Sequence, residues 1–188
     1  MYMRKNFGSK PWCYPQPVFI LAAYDKDGNP NAMNVAWGGI HYDDQIAMCI
    51  SANHKTTANI LESKAFTVSM ADKEHLVSCD YVGITSGNKV PDKFHKAGFT
   101  ETKSEFVNAP IINELPMTLE CRLISYDSET CNLIGEIVNV SADESILDER
   151  GKIDPLKLKP ITFDPVNNTY LIIGEKAGNA FRDGLTLR

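Results

Sequence analysis

The stretch PVFILAAYDKDGNPNAMNVAWGGI, residues 17–40, constrains the fold most. An apolar run over 17–25 is ended by KDGNP, and Asp27-Gly28 inside that turn is a hairpin signal between two extended segments. The second segment, 31–40, alternates Asn31, Met33, Val35 and Trp37 with Ala32, Asn34 and Ala36. One of its faces is therefore small and polar. Gly38 and Gly39 near its end suggest a bulge or a close backbone approach.

The rest of the chain repeats this short-strand grammar. QIAMCIS (45–51) reads as a strand, TTANILES (56–63) as a short helix and AFTVSM (65–70) as a strand with Phe66, Val68 and Met70 on one face. DKEHLVSCDYVG (72–83) reads as a helix with Asp72 as a candidate cap, and SGNKVPDKFHKAG (86–98) as a loop leading into one helical turn. MTLECRLISYD (117–127) and CNLIGEIVNVS (131–141) alternate as a second hairpin pair, and TYLIIGE (169–175) is a final strand. Strands outnumber helices and are joined by short turns. The expected fold is mainly β with peripheral helices: an antiparallel sheet closed into a barrel. Long βαβ units are lacking, which argues against a doubly wound nucleotide fold. Residues 1–188 fit one domain, with no repeat and no linker.

Composition narrows the function classes. The formal net charge of −5 argues against a general nucleic-acid or membrane-surface binder, since both need a basic field. No apolar run approaches the ~20 residues that span a bilayer. The N-terminal MYMRKNFGSKPW has charge but no apolar core of a signal peptide. The five cysteines are an odd number without CxxC spacing, which is neither a disulfide framework nor a zinc site. Cys49 and Cys121 lie in apolar strand patterns and read as small buried hydrophobes. A reducing cytoplasmic setting is expected.

Several catalytic signatures are absent: GxGxxG, the P-loop, HExxH and the GxSxG elbow. What stands out is SANHKTTANILESKAF, residues 51–66, which puts Lys55, Thr56 and Thr57 where a helix should begin. A helix N-terminus offers free N–H groups and about half a positive charge, so an ammonium and a hydroxyl there would suit a phosphate. The plainer reading is that a threonine caps the helix and Lys55 is a solvated charge. The small polar face of 31–37 would let a flat ligand approach the backbone, although Met and Trp in a strand are ordinarily core. Lys89 and Lys93 in the 86–94 loop would by default be solvated. A thiol enzyme using Cys13 or Cys79 is a further reading; full activity in a Cys13→Ser, Cys79→Ser variant would remove it.

Taken together, YPQPVFI, DGNPNAMNVAWGG, SANHKTTANILESKAFTVSM, VGITSGNKVPDKFHKAGF, LECRL, IGEIVNV and GNAFRDG resemble in order and spacing the flavin reductase-like family. These are FMN-binding split barrels, antiparallel and Greek-key-like, that include the flavoredoxins. The resemblance implies that Asn31, Ala32, Met33, Asn34, Val35, Ala36 and Trp37 line the flavin. It implies that Ser51, Lys55, Thr56 and Thr57 hold the ribityl chain and phosphate, with His54 an alternative to Lys55 as the basic ligand. Ser86, Lys93 and Phe94 match the family's SG…DKF element. The chemistry implied is that of an FMN oxidoreductase reduced by NADH or NADPH, carried on the flavin without an acid–base side chain. The alternative is an FMN-binding electron carrier without useful nicotinamide turnover. A homodimer with each flavin near the subunit interface is also implied.

Overall fold

The computed structural model describes residues 3–187. Its centre is a seven-stranded sheet in which every neighbouring pair is antiparallel. The hairpin read from the sequence forms β1 (Phe19–Tyr24) and β2 (Pro30–Val35), in register from Phe19 opposite Val35 to Tyr24 opposite Pro30. Gly28 takes a left-handed φ of 83° in the turn, which costs a glycine little. Asp25 locks that turn by accepting the N–H groups of Asp27 and Asn29 on one oxygen.

Residues 31–40 are not one strand, as the alternation suggests. The segment breaks at Ala36-Trp37, and Gly38–Tyr42 form a separate β3 that pairs with β4 (Gln45–Cys49). The break determines the architecture. Helix α1 (Lys55–Ser63) follows β4, the remaining strands of this sheet are β5 (Ala65–Met70), β8 (Met117–Asp127) and β9 (Asn132–Ala142), and the strand order across it is β2-β1-β5-β8-β9-β4-β3. Its two edge strands, β2 and β3, are consecutive in the chain with only two residues between them. The sheet must therefore curl until its edges approach each other. It forms a barrel left open along one seam, with Ala36 and Trp37 at the seam.

Alternation along β1 shows why that run is apolar throughout. Phe19, Leu21 and Ala23 point into the barrel, where they meet Met33, Val35, Ile46, Met48, Phe66, Val68 and Leu133. Val18, Ile20 and Ala22 point outward and are covered by Cys79 and Val82 of α2 (Leu76–Ile84) and Phe94 of α3 (Lys93–Lys96). On β5, Thr67 and Ser69 also face outward but are buried. Thr67 donates to the carbonyl of Pro110 at 2.6 Å, and Ser69 shares a 2.8 Å hydrogen bond with Thr118. Both polar groups are thereby satisfied, as burial requires.

Some elements differ from the sequence reading. The helix read over 72–83 begins only at Leu76. Asp72 lies before it, buried, and accepts the N–H of His75 at 2.7 Å, so it fixes the turn leading in and does not cap the helix. Three of the four strands in two small hairpins have no counterpart in the sequence reading. One hairpin pairs β6 (Glu101–Lys103) with β7 (Pro110–Ile112). The other pairs β10 (Ile161–Asp164) with β11 (Thr169–Ile172), the latter being a shortened form of the strand read over 169–175. A one-turn helix α4 (Pro155–Leu158) precedes β10. Cys121 is buried as expected, but Cys49 is exposed: it ends β4 on the side facing away from the core. No described helix is long and apolar enough to cross a membrane.

Candidate functional site

The corner before α1 is built from an uncapped helix start. The cap position is His54, whose side chain makes no capping bond, and neither threonine is the cap. The helix starts one residue earlier than the sequence suggests, which puts Thr56 and Thr57 inside its first turn with their side chains turned inward. The first intrahelical bond runs from Ala58 N–H to His54 carbonyl. The N–H groups of Lys55, Thr56 and Thr57 thus have no helical acceptor, and the positive end of the helix dipole is unopposed by any acidic residue in the first turn.

Around this start the side chains are held in place. Asn31 of β2 donates to the Thr56 hydroxyl at 2.6 Å, and both are buried. Thr57 is fully buried and its hydroxyl has no partner. Lys55 Nζ lies 3.7 Å from Asp25 of the β1–β2 turn. Burial alone would raise the Asp25 carboxyl, but the N–H groups of Asn29 and Asp27 hold it below its ordinary value. The loop after α2 passes close overhead: a Cβ on Gly87 would stand 2.3 Å from Asn31 Oδ1 and 3.2 Å from Lys55 Cβ. Only glycine permits that approach. Lys93, read from sequence as a solvated loop lysine or a ligand, is buried. Its ammonium donates to the carbonyls of Val82 and Thr85 at 2.9 Å each, closing the C-terminal end of α2, and burial lowers it to about 8.

These groups enclose a cavity of about 210 Å³ bounded by Asn31, His54, Lys55, Thr56, Ser86 and Lys93. Met33, Asn34, His54, Gly83 and Ile84 also border a second cavity of about 320 Å³, so the two are contiguous. The second lies at the barrel seam. Its walls include Val35, Ala36, Trp37 and Ser51 on one side and Asp80, Phe163 and Tyr170 on the other. Trp37 is 53% exposed and edges this cavity at the seam; it is not part of the barrel core.

Of the residues marked from sequence, eleven border one cavity or the other: Asn31, Met33, Asn34, Val35, Ala36, Trp37, Ser51, Lys55, Thr56, Ser86 and Lys93. Three do not. Ala32 and Phe94 are packed in the core beneath α2 and α3, and the Thr57 side chain lines neither cavity. The small face of β2 is covered by α2, and the Asn34 side chain donates to the Cys79 carbonyl at 3.3 Å. Cys79 itself is sealed in, and burial pushes its thiol up to about 12, which removes it as a nucleophile at neutral pH. Asp80, Phe163 and Tyr170 carry no local signal that marks them as part of a site.

An antiparallel sheet curled into a barrel open along one seam is the architecture of the FMN-binding split barrels. Residues 12–163 match the flavin reductase like domain, and the chain belongs to that family. Among solved structures it is similar to the flavoredoxin of Desulfovibrio vulgaris (Miyazaki F), at 38% identity and a TM-score of 0.92 over 97% of this chain and 100% of that one. It is also similar to the flavoredoxin of Methanosarcina acetivorans, at 28% identity and a TM-score of 0.86 over 100% of both chains. An FMN-binding domain of a flavin reductases-like enzyme from Shewanella baltica shares the fold at 18% identity, with a TM-score of 0.78 over 87% of this chain and 89% of that one.

Proposed function

We propose that the two contiguous cavities hold FMN, with its phosphate at the start of α1 and its ring at the seam, and that the protein is an oxidoreductase drawing electrons from NADH or NADPH. The observation that carries this reading is the uncapped helix start joined to the aromatic-edged cavity. Three unpaired N–H groups and Lys55 suit a phosphate. The orphaned Thr57 hydroxyl marks a first turn whose polar groups are not all satisfied within the chain. A cavity walled by Met33, Val35, Trp37 and Phe163 suits a flat ring, with Asn34 and Ser51 as polar contacts.

When bound, FMN supplies the hydride and electron chemistry. The chain's own part is to fix and shield. Asn31, Gly87 and Lys93 keep the corner rigid, while Trp37 and Tyr170 limit water at the seam. No side-chain acid or base is assigned, in keeping with the absence of a catalytic triad motif. The test is anaerobic mixing of the FMN-loaded protein with NADH or NADPH. Bleaching of the flavin absorbance is the expected result. A flavin that bleaches with dithionite but with neither nicotinamide would leave the second reading, an electron carrier, which the 38% identity to a flavoredoxin favours.

We further infer an isologous homodimer with the seam near the subunit interface. Support comes from Ile40 and Tyr42 on β3, 69% and 67% exposed beside Trp37. Sedimentation of the FMN-loaded protein should give twice the chain mass; a 20.9 kDa species at micromolar concentration would contradict the dimer. The compartment we read is the cytosol, on the strength of five cysteines that are all free thiols. The electron acceptor is a small molecule or protein, with no nucleic acid or membrane involved.

A further inference from the structure

Among the described residues, one carboxylate borders the seam cavity, and it is fixed. Asp80 sits at the middle of α2, half-buried, and Tyr170 of β11 donates its hydroxyl to Asp80 Oδ1 at 2.7 Å. The partners are ninety residues apart in sequence and meet only because the β10–β11 hairpin folds over α2. Both side chains border the cavity, as does Asn34. Burial first, and then the bond to Asp80, hold the Tyr170 hydroxyl above its ordinary value, so it stays a donor throughout the neutral range. The other titratable groups bordering the cavity are His54, at the end nearer the helix start, and the Cys49 thiol. Among the described residues, no lysine or arginine borders the seam cavity to offset the carboxylate.

We propose that Asp80, held in place by Tyr170, sets the reduction potential of the bound flavin by opposing the negative charge that reduction brings into the seam cavity. The inference rests on the FMN reading above. Hydride transfer from a nicotinamide gives the ring two electrons and one proton, leaving the ring one unit more negative while the nicotinamide becomes its cationic, oxidised form. A fixed carboxylate in the same low-dielectric cavity disfavours that added charge whichever edge of the ring it faces. Reduced FMN is therefore held less tightly than oxidised FMN, and the bound couple is a stronger reductant than it would be without Asp80. That suits a protein whose reduced flavin must hand electrons on. Tyr170 acts as a positioning residue: it keeps the carboxylate from swinging out to solvent.

The experiment measures FMN affinity in both oxidation states, together with the midpoint potential by anaerobic spectroelectrochemical titration. It uses the unaltered protein, Asp80→Asn and Asp80→Glu. Asparagine keeps the shape and still accepts from Tyr170 but removes the charge. The ratio of the dissociation constants, reduced over oxidised, should fall at least tenfold in Asp80→Asn, equivalent to a positive shift of about 30 mV for a two-electron couple. Asp80→Glu should restore the low potential. A merely structural role for Asp80 would change both affinities equally and leave the potential where it was, and that result overturns the proposal. If the unaltered protein takes up no FMN in either state, the functional reading falls and this inference with it. FMN bound with an unmoved potential in Asp80→Asn removes this inference alone.

Discussion

Lys55→Ala is expected to weaken FMN binding by roughly 10-fold to 150-fold and to leave riboflavin binding nearly unchanged. The phosphate of FMN carries close to two negative charges. A charge-assisted hydrogen bond to it is worth about 1.5–3 kcal/mol, and about 1.4 kcal/mol is a factor of ten in affinity. Two features of the corner place the loss toward the upper part of that range. Lys55 grows from the first residue of α1, so its charge adds to the dipole and does not replace it. Its removal also leaves the Asp25 carboxylate, now 3.7 Å from the ammonium, without a cationic partner at the corner. Riboflavin lacks the phosphate and so never uses Lys55. Titrations of both flavins into the stripped protein decide the matter. Equal losses for the two ligands would mean that the substitution had damaged the ring cavity or the fold, and the phosphate assignment would fail.

Phe66→Ala should cost about 3–5 kcal/mol of stability, or roughly 6–20 °C in Tm for a chain of this length. Phe66, the second residue of β5, is fully buried and points into the barrel. Its ring lies directly over Gly135 of β9, where a Cβ would stand 2.4 Å from Cζ of the ring. The barrel is therefore packed around this side chain by having no side chain opposite it. Truncation opens a void that the neighbouring strands cannot close without breaking their hydrogen-bonded ladder. Phe66→Leu, which retains most of the volume, should cost distinctly less. Denaturant unfolding of the flavin-free variants provides the measurement. A loss under 1 kcal/mol for Phe66→Ala would contradict a close-packed barrel interior.

The sequence made the barrel legible where strands were long enough to alternate. The β1–β2 and β8–β9 hairpins follow from their turns and from apolar residues at every second position. β6, β7 and β10, of three or four residues each, are too short to show a period. The break at Ala36-Trp37 was invisible because alternation continues through it; what separates β2 from β3 is the pairing of Gly38 with Met48 across the sheet. At the corner, residue types marked the place but not the roles. Thr57 and Phe94 belong to the motif yet turn inward, and Lys93 spends its ammonium on two helix carbonyls. Asp80 carried no local signal. On α2 only the apolar spacing was informative, and its partner Tyr170 becomes a neighbour only through tertiary folding.

The central claim is that the helix start and the seam together form one FMN site. Gel filtration of the purified protein after incubation with excess FMN, and separately with riboflavin, tests it most directly. The expected result is a yellow protein that retains one FMN per chain through the column and loses riboflavin. A colourless protein that fails to retain FMN would contradict the account.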